Sequence, residues 1–133
     1  MRLRHRIRVR YAETDQMGVV HHAAYVVWLE EARTVWLEAL GFPYHELEQE
    51  GLFFPVVELG LTYRYPVRYG QVVEVETWLG ELASRRVGFF YRVEVAGRLA
   101  AEGRSVHVPQ DERGRTRRLP EPLFSRLKAA RVP

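Results

Sequence analysis

At 133 residues the chain corresponds to one domain, and 47% apolar residues with three Trp, seven Tyr and six Phe are enough for a packed core. It contains no cysteine, which excludes disulfides and thiolate chemistry and fits a reducing cytoplasm. No run nears the length of a membrane span and the start Met1-Arg2-Leu3-Arg4-His5 lacks an apolar signal region, so neither insertion nor secretion is expected.

The formal charge is only +3 although the pI is about 9.5, and Lys128 is the single lysine among 20 cationic side chains. Arginine suits bidentate phosphate recognition, but coding bias or a composition adapted to heat produces the same excess. In the first segment Arg2, Arg4, Arg6, Arg8 and Arg10 alternate with Leu3, His5, Ile7 and Val9, the period of a half-buried strand over residues 2–10. The arginine face has no interleaved aromatics, so it reads as a solvated face and no nucleic-acid partner is expected.

Residues 11–25 carry the chemistry. Asp15 lies in a turn-like stretch with Gly18, after a strand and before a helix. It can cap a turn or face the N–H groups of the helix N-terminus, or those groups can hold a developing oxyanion while Asp15 attacks beside them. Gln16–Val20 is too long a gap for Asp15 to be the N-cap of that helix, and Gly18 lets backbone approach a ligand closely. His21 and His22 are adjacent, a relation expected to send their rings in different directions. With His5, His45 and His107 scattered, neither a metal nor another resident cofactor is expected.

From about His22 to Leu40 the period becomes 3.6. Tyr25, Trp28, Leu29, Ala32, Trp36 and Ala39 or Leu40 form an apolar stripe, with Glu30, Glu31, Arg33, Thr34 and Glu38 mostly elsewhere. Gly41 ends the helix, and residues 43–50 form a short second helix closed by Gly51. Strands are expected over 53–67, 71–82, 87–96 and 99–108, joined by hairpin-length turns, with Pro66 marking an edge or bulge. A polar loop over 109–118 leads to a last helix from Pro120 to about Ala130. No repeat or second domain interrupts residues 1–133, which predicts an α+β domain: a five-stranded antiparallel sheet with one long helix on it. Its uncovered surface calls for a dimer partner. No Gly-x-Ser-x-Gly or phosphate loop is present, and Ser84, Ser105 and Ser125 lie in no nucleophile elbow.

The pattern Thr14-Asp15-x-x-Gly18-Val19-Val20-x-His22-x-x-Tyr25, followed by Trp28-Leu29-Glu30-x-Ala32-Arg33, Leu37 and Gly41, resembles the hot-dog fold acyl-CoA thioesterases of the 4-hydroxybenzoyl-CoA and Tol-Pal-associated group. Val56-Val57, Tyr63, Tyr65-Pro66, Gly70 and the strand from Ala101 to Val108 extend it over nearly the whole chain. The resemblance implies a curved sheet around a central helix, active sites at a homodimer interface, and dimers pairing into a homotetramer. It implies hydrolysis of acyl-CoA to acid and coenzyme A, the latter being part of the substrate rather than a cofactor. Asp15 matches the catalytic carboxylate, as nucleophile or general base, and the amide near His22 matches the group that polarises the carbonyl. Gly18 and Val20 belong to the same substrate-binding motif, Arg85 and Arg86 match cations near the nucleotide phosphates, and Tyr25, Trp28 and Tyr63 could line the acyl tunnel or belong to the core. A hydroxyacyl-thioester dehydratase, using His22 with Glu30 or Glu31, and a non-catalytic acyl-CoA-binding subunit are the alternatives.

Overall fold

The computed structural model describes all of Met1–Pro133. Strand β1 (Arg2–Arg8) leads through a 3-10 turn at Tyr11–Glu13 into helix α1 (Ala24–Leu40) and the short helix α2 (Tyr44–Gln49). Strands β2 (Val56–Tyr63), β3 (Val72–Ala83), β4 (Arg86–Val95) and β5 (Arg98–His107) follow, and α3 (Glu121–Ala130) closes the chain. The strands form one antiparallel sheet in the order β1-β3-β4-β5-β2. This is the expected hot-dog topology, with small corrections at element ends.

Helix α1 begins at Ala24 rather than His22, because His21–Ala23 forms a separate turn in which the Ala24 amide donates to the His21 carbonyl at 3.0 Å. At its other end Gly41 adopts φ +98°, and the Phe42 amide returns to the Leu37 carbonyl at 2.9 Å, the bond that closes a Schellman motif. Strand β2 stops at Tyr63, short of the expected Val67. The Arg64 and Tyr65 amides both donate to the Ala100 carbonyl, and Pro66 beyond them has no N–H with which to continue the ladder.

The stripe of α1 is buried on β3 and β1. Trp28, Leu29, Ala32 and Trp36 are at most 1% exposed, and Trp36 meets Phe89 of β4 edge-to-face with centroids 5.2 Å apart. Burying each large apolar side chain contributes roughly 1.5–3 kcal/mol, so this stripe anchors the helix. Leu40, not Ala39, completes it. Arg33, expected among the solvated residues, is 7% exposed: it lies four residues from both Leu29 and Leu37 and shares their face.

The two sheet edges differ in chemistry. On β1, Arg2 and Arg4 form surface ion pairs 3.2–3.9 Å long with Glu74 and Glu76 of β3 and Glu94 of β4. Such pairs contribute about 0–1 kcal/mol, and their larger effect is to keep another strand off this edge. On β2, Val56, Val57, Leu59 and Tyr63 are all 45–48% exposed, and only Glu58 carries charge. That edge has no such protection.

Candidate active site

The chemistry of Asp-x-x-Gly explains the loop that carries Asp15. The Gly18 amide donates to the Asp15 carbonyl at 3.1 Å, the Asp15 amide to the Val19 carbonyl at 2.8 Å, and Gly18 takes φ +77°. This is a four-residue turn closed by a left-handed glycine, the geometry that lets two short antiparallel segments meet, here at the Thr14–Val20 bridge. Asp15 Oδ1 accepts from the amides of Met17 at 2.8 Å and Val19 at 3.2 Å. The carboxylate therefore binds its own turn rather than the N-terminus of α1, while Oδ2 accepts no hydrogen bond and the residue is exposed. The chain contains an internal control. Asp111-Glu112-Arg113-Gly114-Arg115 repeats the same set of bonds, Gly114 has φ +79°, and the amides hold the Asp111 carboxyl below its usual pKa. The turn itself is thus ordinary, and what sets Asp15 apart is its surroundings.

Those surroundings are built by Glu13, whose role the sequence did not reveal. Its side chain is buried: Oε2 accepts from the indole of Trp28 at 2.8 Å and Oε1 from the Arg10 amide at 2.8 Å, while its carbonyl receives the His21 amide at 2.8 Å. Glu13 thereby ties both ends of the Asp15 loop to α1. On the far side Tyr63 donates its hydroxyl to the His22 carbonyl at 2.9 Å and meets Tyr25 edge-to-face at 4.9 Å. Burial raises the pKa of Tyr25, with Tyr63 adding to it, and burial also raises that of Tyr63, so both remain phenols. Val20, His22, Tyr25 and Tyr63 line one cleft of about 320 Å³ together with Val19, the residue after Gly18. The His22 amide makes no hydrogen bond within the chain, while the neighbouring Ala23 amide is used by His21 Nδ1 at 3.2 Å. A free amide at His22 thus lies at the mouth of α1, and the turn that carries the free carboxylate oxygen reaches the same cleft through Val19. An amide and a carboxylate are the groups needed to polarise a carbonyl and attack its carbon.

Other sequence expectations resolve differently. The rings of His21 and His22 stack with centroids 4.2 Å apart at 30° rather than diverging. Glu31 is held by His5 Nε2 at 2.6 Å, and Glu30 lies six residues into α1, roughly 9 Å of rise beyond Ala24, whereas His22 precedes the helix. Within one chain neither pairs with His22, the histidine that a dehydratase reading needs. Arg86 is the first residue of β4 rather than part of the turn, and it pairs with Glu58 at 3.0 Å and Glu81 at 3.3 Å, whereas exposed Arg85 makes no ion pair. Both lie at the far end of β3 from the Asp15 loop, and its 12 residues span roughly 36 Å at about 3.3 Å per step. Within one chain they cannot act with Asp15. Ser105 is fully buried, hydrogen-bonded to Tyr91 at 2.6 Å and His107 at 2.8 Å, which removes it as a nucleophile.

Comparison with known proteins agrees with this geometry. A family model described as the thioesterase-like superfamily matches residues 9–133. The chain is 40% identical over 107 residues to the Bacillus subtilis (strain 168) protein described as "Putative acyl-CoA thioesterase YneP", covering 80% of this chain and 78% of that one. Among solved structures it matches hypothetical protein TT1821 from Thermus thermophilus with TM-score 0.95 and 55% identity, over the whole of both chains. It matches a DHNA-CoA thioesterase from Staphylococcus aureus with TM-score 0.91 and 30% identity, over 96% of this chain and 89% of that one.

Proposed function

Because the chain belongs to the thioesterase-like superfamily, we propose that it hydrolyses acyl-CoA thioesters to a free acid and coenzyme A at the mouth of α1. The carbonyl oxygen accepts from the His22 amide, and a donor of this kind is worth about 10²–10³ in rate in a preorganised site. Asp15 acts through its free Oδ2 in one of two ways. As nucleophile it bonds to the thioester carbon and expels the coenzyme A thiolate; water then cleaves the mixed anhydride, and its proton ends on the thiolate. As general base it takes a proton from the water that attacks the same carbon. His22 contributes its backbone in both routes.

The observation that carries the reading is that Val19, whose amide the Asp15 carboxylate accepts from, and His22, whose own amide is unengaged, line one cleft. The unprotected β2 edge supports a homodimer. An antiparallel two-fold at that edge sets the Val56 end of one strand beside the Tyr63 end of the other, with β2 itself about 25 Å long. The same rotation carries the partner's β3–β4 turn, and with it Arg85 and Arg86, toward the Asp15 cleft, where guanidinium groups suit the nucleotide phosphates. In this reading the site is shared between subunits, dimers pair into a homotetramer, and the protein works in the cytoplasm. No helix is long and apolar enough to cross a membrane.

Thiol release from a panel of acyl-CoA substrates tests the proposal. Asp15→Asn keeps an oxygen for the Met17 and Val19 amides, so it should fold normally while lowering kcat about 10²–10⁴-fold. Undiminished turnover would remove Asp15 from the chemistry. Binding of acyl-CoA by the wild type without thiol release would mark it instead as a non-catalytic binding subunit.

A further inference from the structure

One buried cation in the chain has no counter-ion. Arg33 Nη1 donates to the Tyr91 hydroxyl at 3.1 Å, Nε is buried with no partner, and Nη2 makes no hydrogen bond to the protein. No ion pair in the chain includes it, although Glu30, Glu38 and Glu48 border the same cavity from exposed positions. A guanidinium removed from water without a carboxylate is costly, and most buried arginines are paired. Arg33 is held in place even so, by its position on the apolar stripe and by Tyr91.

The cavity it lines measures about 550 Å³ and lies between α1, α2 and the segment Phe54–Val56. Tyr44 lines it as well. Its oxygen already accepts from the Phe54 amide at 3.0 Å, so its hydroxyl hydrogen is free to donate, and burial raises its pKa and keeps that hydrogen on. The Phe54 bond and then the Arg33 charge oppose that rise, the Glu48 and Glu30 carboxylates add to it, and Arg33 and Tyr44 line the same cavity. The interior thus offers several unclaimed donors from two side chains, one of them charged, and His107 behind Arg33 is held neutral. Donors with this charge and planarity fit a carboxylate.

We propose that this cavity is a carboxylate-binding site, with Arg33 as the charged ligand and the Tyr44 hydroxyl as the second donor. The cavity borders the Val56 end of β2, the end that the two-fold carries toward the partner's Asp15 cleft. On the thioesterase reading, on which this assignment of the source rests, the carboxylate is therefore the distal group of a dicarboxylic acyl chain whose thioester lies at the other subunit's Asp15. A free carboxylate is the other source of the same chemistry.

The test compares glutaryl-CoA with valeryl-CoA in thiol release, and titrates glutarate and acetate into the substrate-free wild type by calorimetry. Because hydrogen bonds to a charged group are strong, wild-type kcat/KM should favour glutaryl-CoA at least about tenfold, and Arg33→Met should abolish the preference. Tyr44→Phe provides a second variant, expected to reduce it, should Arg33→Met not fold. Saturable binding of glutarate or acetate without a preference in hydrolysis would keep the site and assign it to a free carboxylate. Neither preference nor binding would overturn it. If neither thioester is hydrolysed, the thioesterase reading fails while the titration still decides the fate of the Arg33 site.

Discussion

Acid should unfold this protein through His107. The ring is fully buried, and its Nδ1 lies 3.1 Å from the Phe54 carbonyl, which can only accept, so Nδ1 carries the proton. Nε2 of the neutral ring then accepts from Ser105, Ser105 accepts from Tyr91, and Tyr91 accepts from Arg33, so every donor in the chain has an acceptor. Protonating Nε2 makes it a donor, reverses Ser105 and leaves the Tyr91 hydroxyl hydrogen without an acceptor. Burial first, and the Arg33 charge second, lower the His107 pKa from 6.5 to about 4, with the Phe54 bond acting the other way. The unfolded chain therefore binds this proton near pH 6.5 and the folded chain not until about pH 4. Between those limits the unfolded state holds more protons, and stability falls as the pH falls. A difference of 2.5 units at about 1.36 kcal/mol each gives a loss of about 3 kcal/mol between pH 7 and pH 4, a large part of a typical domain's stability. Urea unfolding of the wild type and of His107→Gln over that range measures it, since the carboxylates common to both cancel. The wild type should lose about 3 kcal/mol more than the variant. Parallel curves would refute the buried neutral histidine.

Two further perturbations test the scaffold of the site. Glu13→Gln should lower kcat more than it changes KM and should shift Trp28 fluorescence, because it loosens the loop that presents Asp15; an effect confined to stability, with kcat intact, would make Glu13 merely structural. Gly18→Ala should cost about 1–2 kcal/mol in urea unfolding: nothing lies within 4 Å of the added Cβ, so the whole cost is that of a left-handed φ of +77°. A loss of a few tenths would contradict the turn geometry.

The architecture was legible because two periodicities and the turn residues report it directly. Alternation in residues 2–10 and the stripe from Tyr25 to Leu40 place elements that the structure keeps, and Gly70, Gly97 and Gly41 fix where they stop. The Asp15 turn was legible for the same reason, since Asp-x-x-Gly forms the same bonds at both places where this chain contains it, Asp15 and Asp111. The burial of Arg33 is hidden because a single polar residue on an apolar stripe looks solvated unless its spacing from Leu29 and Leu37 is counted. The role of Glu13 has one signal in the sequence, since a buried Trp28 indole requires an acceptor, but nothing there says which residue supplies it. Ser105 and His107 share the inward face of β5 with Ala101 and Gly103, but nothing in that alternation says that Tyr91 and Arg33 stand opposite. The remoteness of Arg85 and Arg86 from Asp15 follows from strand length and order, and adjacency in a motif does not report it.

Mixing Asp15→Asn subunits with Arg85→Ala/Arg86→Ala subunits tests the shared site most directly, with hydrolysis read as kcat/KM at low acyl-CoA. Each variant alone should be impaired. If Asp15 works with the partner's arginines, one of the two sites in every mixed dimer is intact, and random mixing should restore about one quarter of wild-type activity. No recovery beyond the average of the two parents would contradict a site built from both subunits.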